Sequence, residues 1–310
     1  MKIPAFNQPV TQDGYAWWYL DAISDDGNHG LTLIAFIGSV FSPYYAWARA
    51  RGRGDPMAYC AMNVALYGAK GRWSMTERNR PAVLRNADSL SIGPSVLHWD
   101  GQSLVAEMRE WSAPVPRRLR GRIRLHPTVV HNQALGLDSA GRHYWTPISP
   151  AARVEVKMEH PDLRWSGNGY FDHNTGNQPL ERCFDNWFWS RAATRRGPVV
   201  LYELQRCDGH TNALAMHFDR DGNRHELEVQ RATTLPHTRW GIDRPVRSDD
   251  GLADLRATWE DTPFYARSLI DVRLNGERVT AVHESLSLQR FSSPWVKLML
   301  PFRMPRRVWS

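Results

Sequence analysis

The stretch "WSGNGYFDHNTG", residues 165–176, sets Tyr170 and Asp172 two positions apart among three glycines. Residues i and i+2 of a strand share a side, so both can be aimed into one cavity. A carboxyl group walled by aromatic rings resists ionisation there and keeps a proton for general acid chemistry. Gly167, Gly169 and Gly176 allow positive φ or close backbone approach, which lets the segment turn sharply. The competing reading is a surface Asx-type turn, with Asp172, His173 and Asn174 satisfying backbone donors. "GRHYWTP" sets His143 and Trp145 two apart in the same way. A histidine on the cavity side would hydrogen-bond the carboxyl and reset its proton, and an indole would face developing positive charge. The alternative for His143 is a satisfied core residue.

No other chemistry is well supported. The remaining histidines, among them His126, His131, His210, His217 and His237, lack HxxxH or HExxH spacing, and Cys60, Cys183 and Cys207 lack metal-ligand spacing. No metal is expected. There is no GxSxG elbow, P-loop or GxGxxG after a strand, so serine hydrolase, NTPase and dinucleotide readings have no support.

The elements that must position these residues read as strands. "RRLRGRIRLHP" alternates Leu119, Gly121, Ile123 and Leu125 with Arg118, Arg120, Arg122 and Arg124, and "ARVEVKM" turns Val154, Val156 and Met158 inward. Turn signals "SDDGN", "WDGQ", "CDGH", "RDGN" and "LNGE" recur at hairpin distances. "SPYYAWARARG" is the best helix candidate. Mostly β architecture of the barrel or sandwich kind follows. "WWYLDAISDDGNHGLTLI" lies over "WFWSRAATRRGPVVLYEL" without a gap at an offset of 170, matching Trp17 to Trp187, Ala22 to Ala192, Gly27 to Gly197, Leu31 to Leu201 and Ile34 to Leu204. The repeat implies two tandem β domains, expected as residues 1–168 and 169–310. Trp17, Trp18 and Trp187 are assigned to the core.

Composition bounds the partners. The chain of 310 residues carries a formal charge of +7 and 14 tryptophans. Indole enrichment suits either a Trp-rich core or a pocket for a bulky apolar ligand or a cation. The arginines are scattered and no nucleic-acid motif is present, so nucleic acid is not an expected partner. An anionic membrane surface suits the basic excess better, given "WVKLMLPFRMPRRVWS", where Lys297, Arg303, Arg306 and Arg307 interleave with apolar residues. A last strand with a solvated end is the alternative for that tail. Three cysteines, an odd number that speaks against a disulfide framework, fit a reducing compartment, and "MKIPAFNQPV" has no apolar h-region of a secretory signal. The uncharged run Leu31 to Ala48 is broken by Gly38, Ser39, Ser42 and Pro43 and reads as a buried strand and a loop, not a transmembrane helix.

"GYAWWYLDAISDDGNHGLTLIAFIGSVFSPYYAWA", "YCAMNVALYG", "RWSMTER", "WSGNGYFDHNTGNQPLE" and "EDTPFYARS" together closely resemble the bacterial carotenoid 1,2-hydratases, from about Gly14 to Phe302. The resemblance implies two lipocalin-like β-barrel domains with few short helices. It implies cofactor-free addition of water to the C1,C2 double bond of an acyclic carotene such as neurosporene or lycopene. It carries the family's active-site aspartate onto Asp172, with Tyr170 beside it, and its histidine and tryptophan onto His143 and Trp145. The long N-terminal extension of some members is expected to be lacking. A polyene substrate that lives in a bilayer implies peripheral attachment, expected on the cytoplasmic side of the inner, photosynthetic membrane. The same fold would also serve a polyene cyclase or a non-catalytic pigment carrier.

Overall fold

The structure, a computed structural model, describes residues 6–228 and 230–308. The first five residues, part of the segment read for a leader, and the last two of the tail lie outside the described residues. The chain divides into two compact units: residues 1–179 with 298–310, and residues 180–297. The expected join at 168/169 falls inside a strand of the first unit.

The first unit contains β1 (Tyr15–Ser24), β2 (Gly30–Ile37), α1 (Pro43–Arg49), β3 (Cys60–Tyr67), β4 (Arg72–Arg78), β5 (Val83–Arg85), β6 (Ser89–Ile92), β7 (Ser95–Trp99), β8 (Leu104–Trp111), β9 (Arg118–Pro127), β10 (Leu135–Gly136), β11 (His143–His160) and β12 (Leu163–Gly176). The second contains β13 (Phe184–Thr194), β14 (Gly197–Arg206), β15 (Thr211–Phe218), β16 (Arg224–Glu226), β17 (Arg231–Leu235), β18 (Arg244–Ser248), β19 (Ala253–Asp261), β20 (Tyr265–Leu274), β21 (Glu277–Ser287) and α2 (Leu288–Ser292). The tail forms α3 (Pro294–Arg303) and a two-residue strand, β22 (Arg306–Arg307). The fold is mostly β, as the alternation implies.

In the first unit the sheet order is β22-β4-β3-β2-β1-β12-β11-β9-β8-β7-β6-β5. Residues from distant strands in this order, Met62 and Val64 on β3 and Leu90 and Leu97 on β6 and β7, share one hydrophobic core. The sheet must curl on itself to bring them together. Leu119, Ile123 and Leu125 of β9 and Val154, Val156 and Met158 of β11 enter that core as their alternation requires. Gly121 completes the row by absence of a side chain, since a Cβ there would meet Met158 Cα at 2.5 Å.

Both units close their first strand against their last: β1 lies between β2 and β12, and β13 between β14 and β21. The 170-residue offset holds for β1 over β13 but not across the turn. Ile23 pairs with Gly30, whereas Ala193 pairs with Pro198, so the second hairpin loop is two residues shorter. Leu31 and Ile34 therefore correspond to residues two positions before Leu201 and Leu204, a shift that preserves the face because a strand repeats every two residues.

Two further expectations change. "WSGNGYFDHNTG" is no turn: it lies within β12, paired to β1 from Gly167 to Gly176 and to β11 with register shifts that leave Tyr170 and Asp172 without a β11 partner. None of its glycines has positive φ. They give clearance instead, as at Gly167, where a Cβ would meet Ile23 O at 1.9 Å. The tail is mainly a helix, followed by the two-residue strand β22, with Trp295, Leu298, Met299 and Phe302 spaced as one helical stripe. Among the described residues no helix is long and apolar enough to cross a membrane.

Candidate active site

Strand register builds the site. Tyr19 faces Asp172, Trp17 faces Asn174 and Tyr15 faces Gly176 across β1 and β12, while Trp145 faces Asn174 and His143 faces Gly176 across β11 and β12. Directly opposed residues share a side. One side of β1, β12 and β11 therefore carries Tyr15, Trp17, Tyr19, Asp21, Tyr170, Asp172, Asn174, His143 and Trp145. The other side carries Trp18, Leu20 and Phe171 into the hydrophobic core.

Three of the four residues singled out from sequence form one hydrogen-bonded cluster. Tyr170 Oη donates to Asp172 Oδ2 at 2.7 Å, Trp145 Nε1 donates to the same oxygen at 2.9 Å, and Trp145 Nε1 also lies 3.1 Å from Tyr170 Oη. Tyr170 and Trp145 are fully buried and Asp172 is 3% exposed. Both donors fall on Oδ2, so a proton carried by this carboxyl sits on Oδ1. Trp145 and Tyr170 thus hold this carboxyl through one oxygen.

His143 lies further along the same face. Asp138 Oδ1 accepts from the backbone N–H groups of Arg142 at 2.8 Å and His143 at 2.9 Å, which fixes the entry into β11. The Nδ1 of His143 is 2.9 Å from Tyr15 Oη, and Tyr15 in turn stacks on Trp17 with ring centroids 4.8 Å apart. Burial pushes the imidazole down to about 4, against a weaker opposing pull from Asp138, so it is neutral at ordinary pH. Gly176 makes room for this pair: a Cβ there would meet Tyr15 Cε1 at 2.4 Å and His143 Nδ1 at 2.8 Å.

His173 belongs to the opposite side. It stacks on Trp18 with centroids 4.6 Å apart, and its Nδ1 donates to Trp17 O at 2.9 Å. Burial lowers this imidazole to about 4 as well. The surface Asx-turn reading fails, since Asp172, His173 and Asn174 are all buried strand residues.

Sequence reading missed five members of this face as site residues. Tyr19 meets the Tyr170 ring edge-on at 6.2 Å, and Asp21, completely buried, stands opposite Tyr170. Tyr15 and Asn174 complete the set. Trp17, assigned to the core with Trp18, lies on the site side because neighbouring strand residues point opposite ways. The period-two series Tyr15, Trp17, Tyr19 and Asp21 in "YAWWYLD" was the available signal. Among the described residues, no group of three His, Cys, Asp or Glu side chains is arranged to hold a metal ion.

The face combines a buried carboxyl, a neutral imidazole and π surfaces of several rings. That arrangement can deliver a proton to an apolar molecule and steady the cation that results.

Comparison with known proteins agrees with this chemistry. A family model described as "Carotenoid hydratase CrtC" matches residues 33–310. An acyclic carotenoid 1,2-hydratase of Thiocapsa roseopersicina is 54% identical over 98% of this chain and 76% of its own length. One of Rubrivivax gelatinosus is 49% identical, again over 98% and 76%. Among solved structures, a Nitrosomonas europaea protein assigned to AttH aligns with a TM-score of 0.57 at 12% identity, over 93% of this chain and 99% of that one. CghA with bound Sch210972 aligns at 0.53 and 12%, over 93% and 95%. These two speak for the fold alone, which is lipocalin-like. With a family model spanning most of its length and two relatives near half identity, the chain belongs to the carotenoid hydratase family.

Proposed function

We propose that this chain is a carotenoid 1,2-hydratase that adds water across the C1,C2 double bond of an acyclic carotene, neurosporene or lycopene, to give a tertiary alcohol at C1. The observation that carries the mechanism is the buried Asp172 carboxyl held through one oxygen by Tyr170 and Trp145.

The steps balance without an electron carrier. Asp172 gives its proton to C2, the π electron pair forms the new C–H bond, and C1 becomes a tertiary cation. Protonation at C2 is favoured because the alternative cation is less substituted. Trp145, Tyr170, Tyr19 and Trp17 surround that charge with aromatic rings, and each ring that turns its face to the cation contributes roughly 0.5–2 kcal/mol. A water oxygen then forms the C1–O bond, and the surplus proton returns to the Asp172 carboxylate, directly or through neutral His143. Water is added, nothing is oxidised, and the carboxylic acid is regenerated. Because both electrostatic donors are preorganised, little rearrangement accompanies the transfer.

Peripheral attachment on the cytoplasmic side of the inner, photosynthetic membrane is part of the same proposal. Three basic tail residues have partners within the protein: Arg306 pairs with Glu77 and lies over Tyr59, Arg303 lies over Trp73, and Lys297 lies over Phe291. The apolar stripe of α3 is what faces outward, with Leu298 65% and Phe302 81% exposed. Insertion of these side chains into the interface, more than charge, supports attachment.

The test is direct. Purified protein incubated with lycopene or neurosporene in liposomes, without added cofactor, should yield a product heavier by one water. Cyclised product of unchanged mass would favour a cyclase, and pigment binding without any product would favour a carrier.

A further inference from the structure

The hydration step needs a second polar group besides the acid, one that holds water beside C1 while the rest of the face presents rings. Asn174 has the required position. It is 1% exposed, lies on β12 two residues beyond Asp172 on the same side, and is flanked in register by Trp17 and Trp145. Strand geometry puts its backbone about 7 Å from that of Asp172, one side-chain step along the same face. Neither Nδ2 nor Oδ1 of its amide has a hydrogen-bond partner among the described residues.

An amide buried without partners is costly, and a strand hemmed in by aromatic residues offers no stability reason to keep one. Apolar residues of similar size would pack there at no such cost. The amide is both donor and acceptor, which matches a water molecule before the reaction and a tertiary hydroxyl after it, and matches nothing on a hydrocarbon polyene. His143 is the diagonal neighbour of Asn174 across β11 and β12, about 7–8 Å away by strand geometry, a span that one bridging water closes.

We propose that the side-chain amide of Asn174 binds the attacking water and directs its oxygen to C1 of the cation formed by Asp172. This inference rests on the hydratase reading and adds a catalytic residue to it. In the step, the water oxygen supplies the electron pair of the new C1–O bond, Asn174 Oδ1 accepts a hydrogen bond from one water hydrogen, and the other hydrogen leaves as the proton that restores Asp172. With no held water, the cation has another exit: it loses a proton from C2 or a C1 methyl and reverts to alkene.

That alternative exit gives the test. Wild type, Asn174→Leu, Asn174→Ser and Asp172→Asn are incubated with lycopene in liposomes made in D2O, and alcohol and recovered carotene are analysed at early times by mass spectrometry. Wild type is expected to give mainly deuterated alcohol. Asn174→Leu should lower alcohol 10- to 100-fold while deuterium still enters the recovered carotene, and Asn174→Ser, which keeps a hydroxyl, should restore part of the hydration. Alcohol formation at the wild-type rate in Asn174→Leu would overturn the proposal. So would a parallel loss of alcohol and of exchange in both Asn174 variants, which marks a structural role. Asp172→Asn reports on the underlying reading separately: it should abolish alcohol and exchange together, and undiminished exchange there would refute the acid and not the water site.

Discussion

Trp145 donates its indole N–H to Asp172 Oδ2 at 2.9 Å from the neighbouring strand, so the group that holds this carboxyl also sets an aromatic ring beside it. Tyr170 shares the same oxygen. Removing one donor while keeping an aromatic side chain, as in Tyr170→Phe or the smaller Trp145→Phe, is expected to cost about 1.5–3 kcal/mol of the oriented state, or roughly 10- to 100-fold in kcat. KM for the carotene should change little in Tyr170→Phe, because its apolar surface is kept. Steady-state kinetics on folded variants decides this, and unchanged kcat in both would remove the cluster from the mechanism.

Gly176 tests the other half of the face. Gly176→Ala drives a methyl group into Tyr15 and His143, where the backbone positions are fixed by pairing on both sides of β12. The expected result is a loss of about 1–3 kcal/mol in stability together with lower activity. Tyr15→Phe should lower activity with a smaller stability change. Urea unfolding beside turnover assays separates the two, and a fully active Gly176→Ala would show that the Tyr15 to His143 contact is dispensable.

Acid sensitivity follows from the buried histidines. His143 and His173 are pushed down by burial to about 4 from an ordinary value near 6.5. The unfolded chain therefore binds more protons than the folded one across this window, so the stability these groups contribute is full above about 6.5 and is lost as pH falls toward 4. Each changes the unfolding free energy by up to about 1.4 kcal/mol per pH unit inside the window. Glu77 opposes the trend, since burial raises its carboxyl to about 7 and its contribution falls as pH rises through that value. The clean measurement is a difference: His173→Phe keeps a ring against Trp18 and should flatten the pH dependence of the urea midpoint between 6.5 and 4. An unaltered slope would contradict the assignment.

Membrane attachment through α3 predicts that Leu298→Ser with Phe302→Ser weakens liposome co-sedimentation several-fold without lowering thermal stability. Since the tail's Lys297, Arg303 and Arg306 have partners within the protein, binding should survive raised salt. Release by salt alone would shift the weight back to charge.

Much of this was legible in the chain because half-buried strands advertise themselves. The alternating rows of β9 and β11 and the glycine turns between strands needed no tertiary information. The pairs Tyr170 and Asp172, and His143 and Trp145, were visible for the same reason. What stayed hidden depended on partners. The glycines of "WSGNGYFDHNTG" look like turn residues until the neighbouring strands occupy their missing side chains. Residue type did not say that Trp17 and Trp18 point to opposite sides, and only register brings Tyr15 to His143 and Asn174 to Trp145. The tail's helical stripe was obscured by its interleaved charges and by Pro301 inside the helix.

The central claim is that Asp172 is the proton donor of a carotene hydration. The most direct measurement compares wild type with Asp172→Asn, matched for folding and for lycopene binding in liposomes, by the yield of product heavier by one water. The account predicts hydrated product from wild type and none above background from the variant, with binding retained. Equal yields from the two proteins would contradict it.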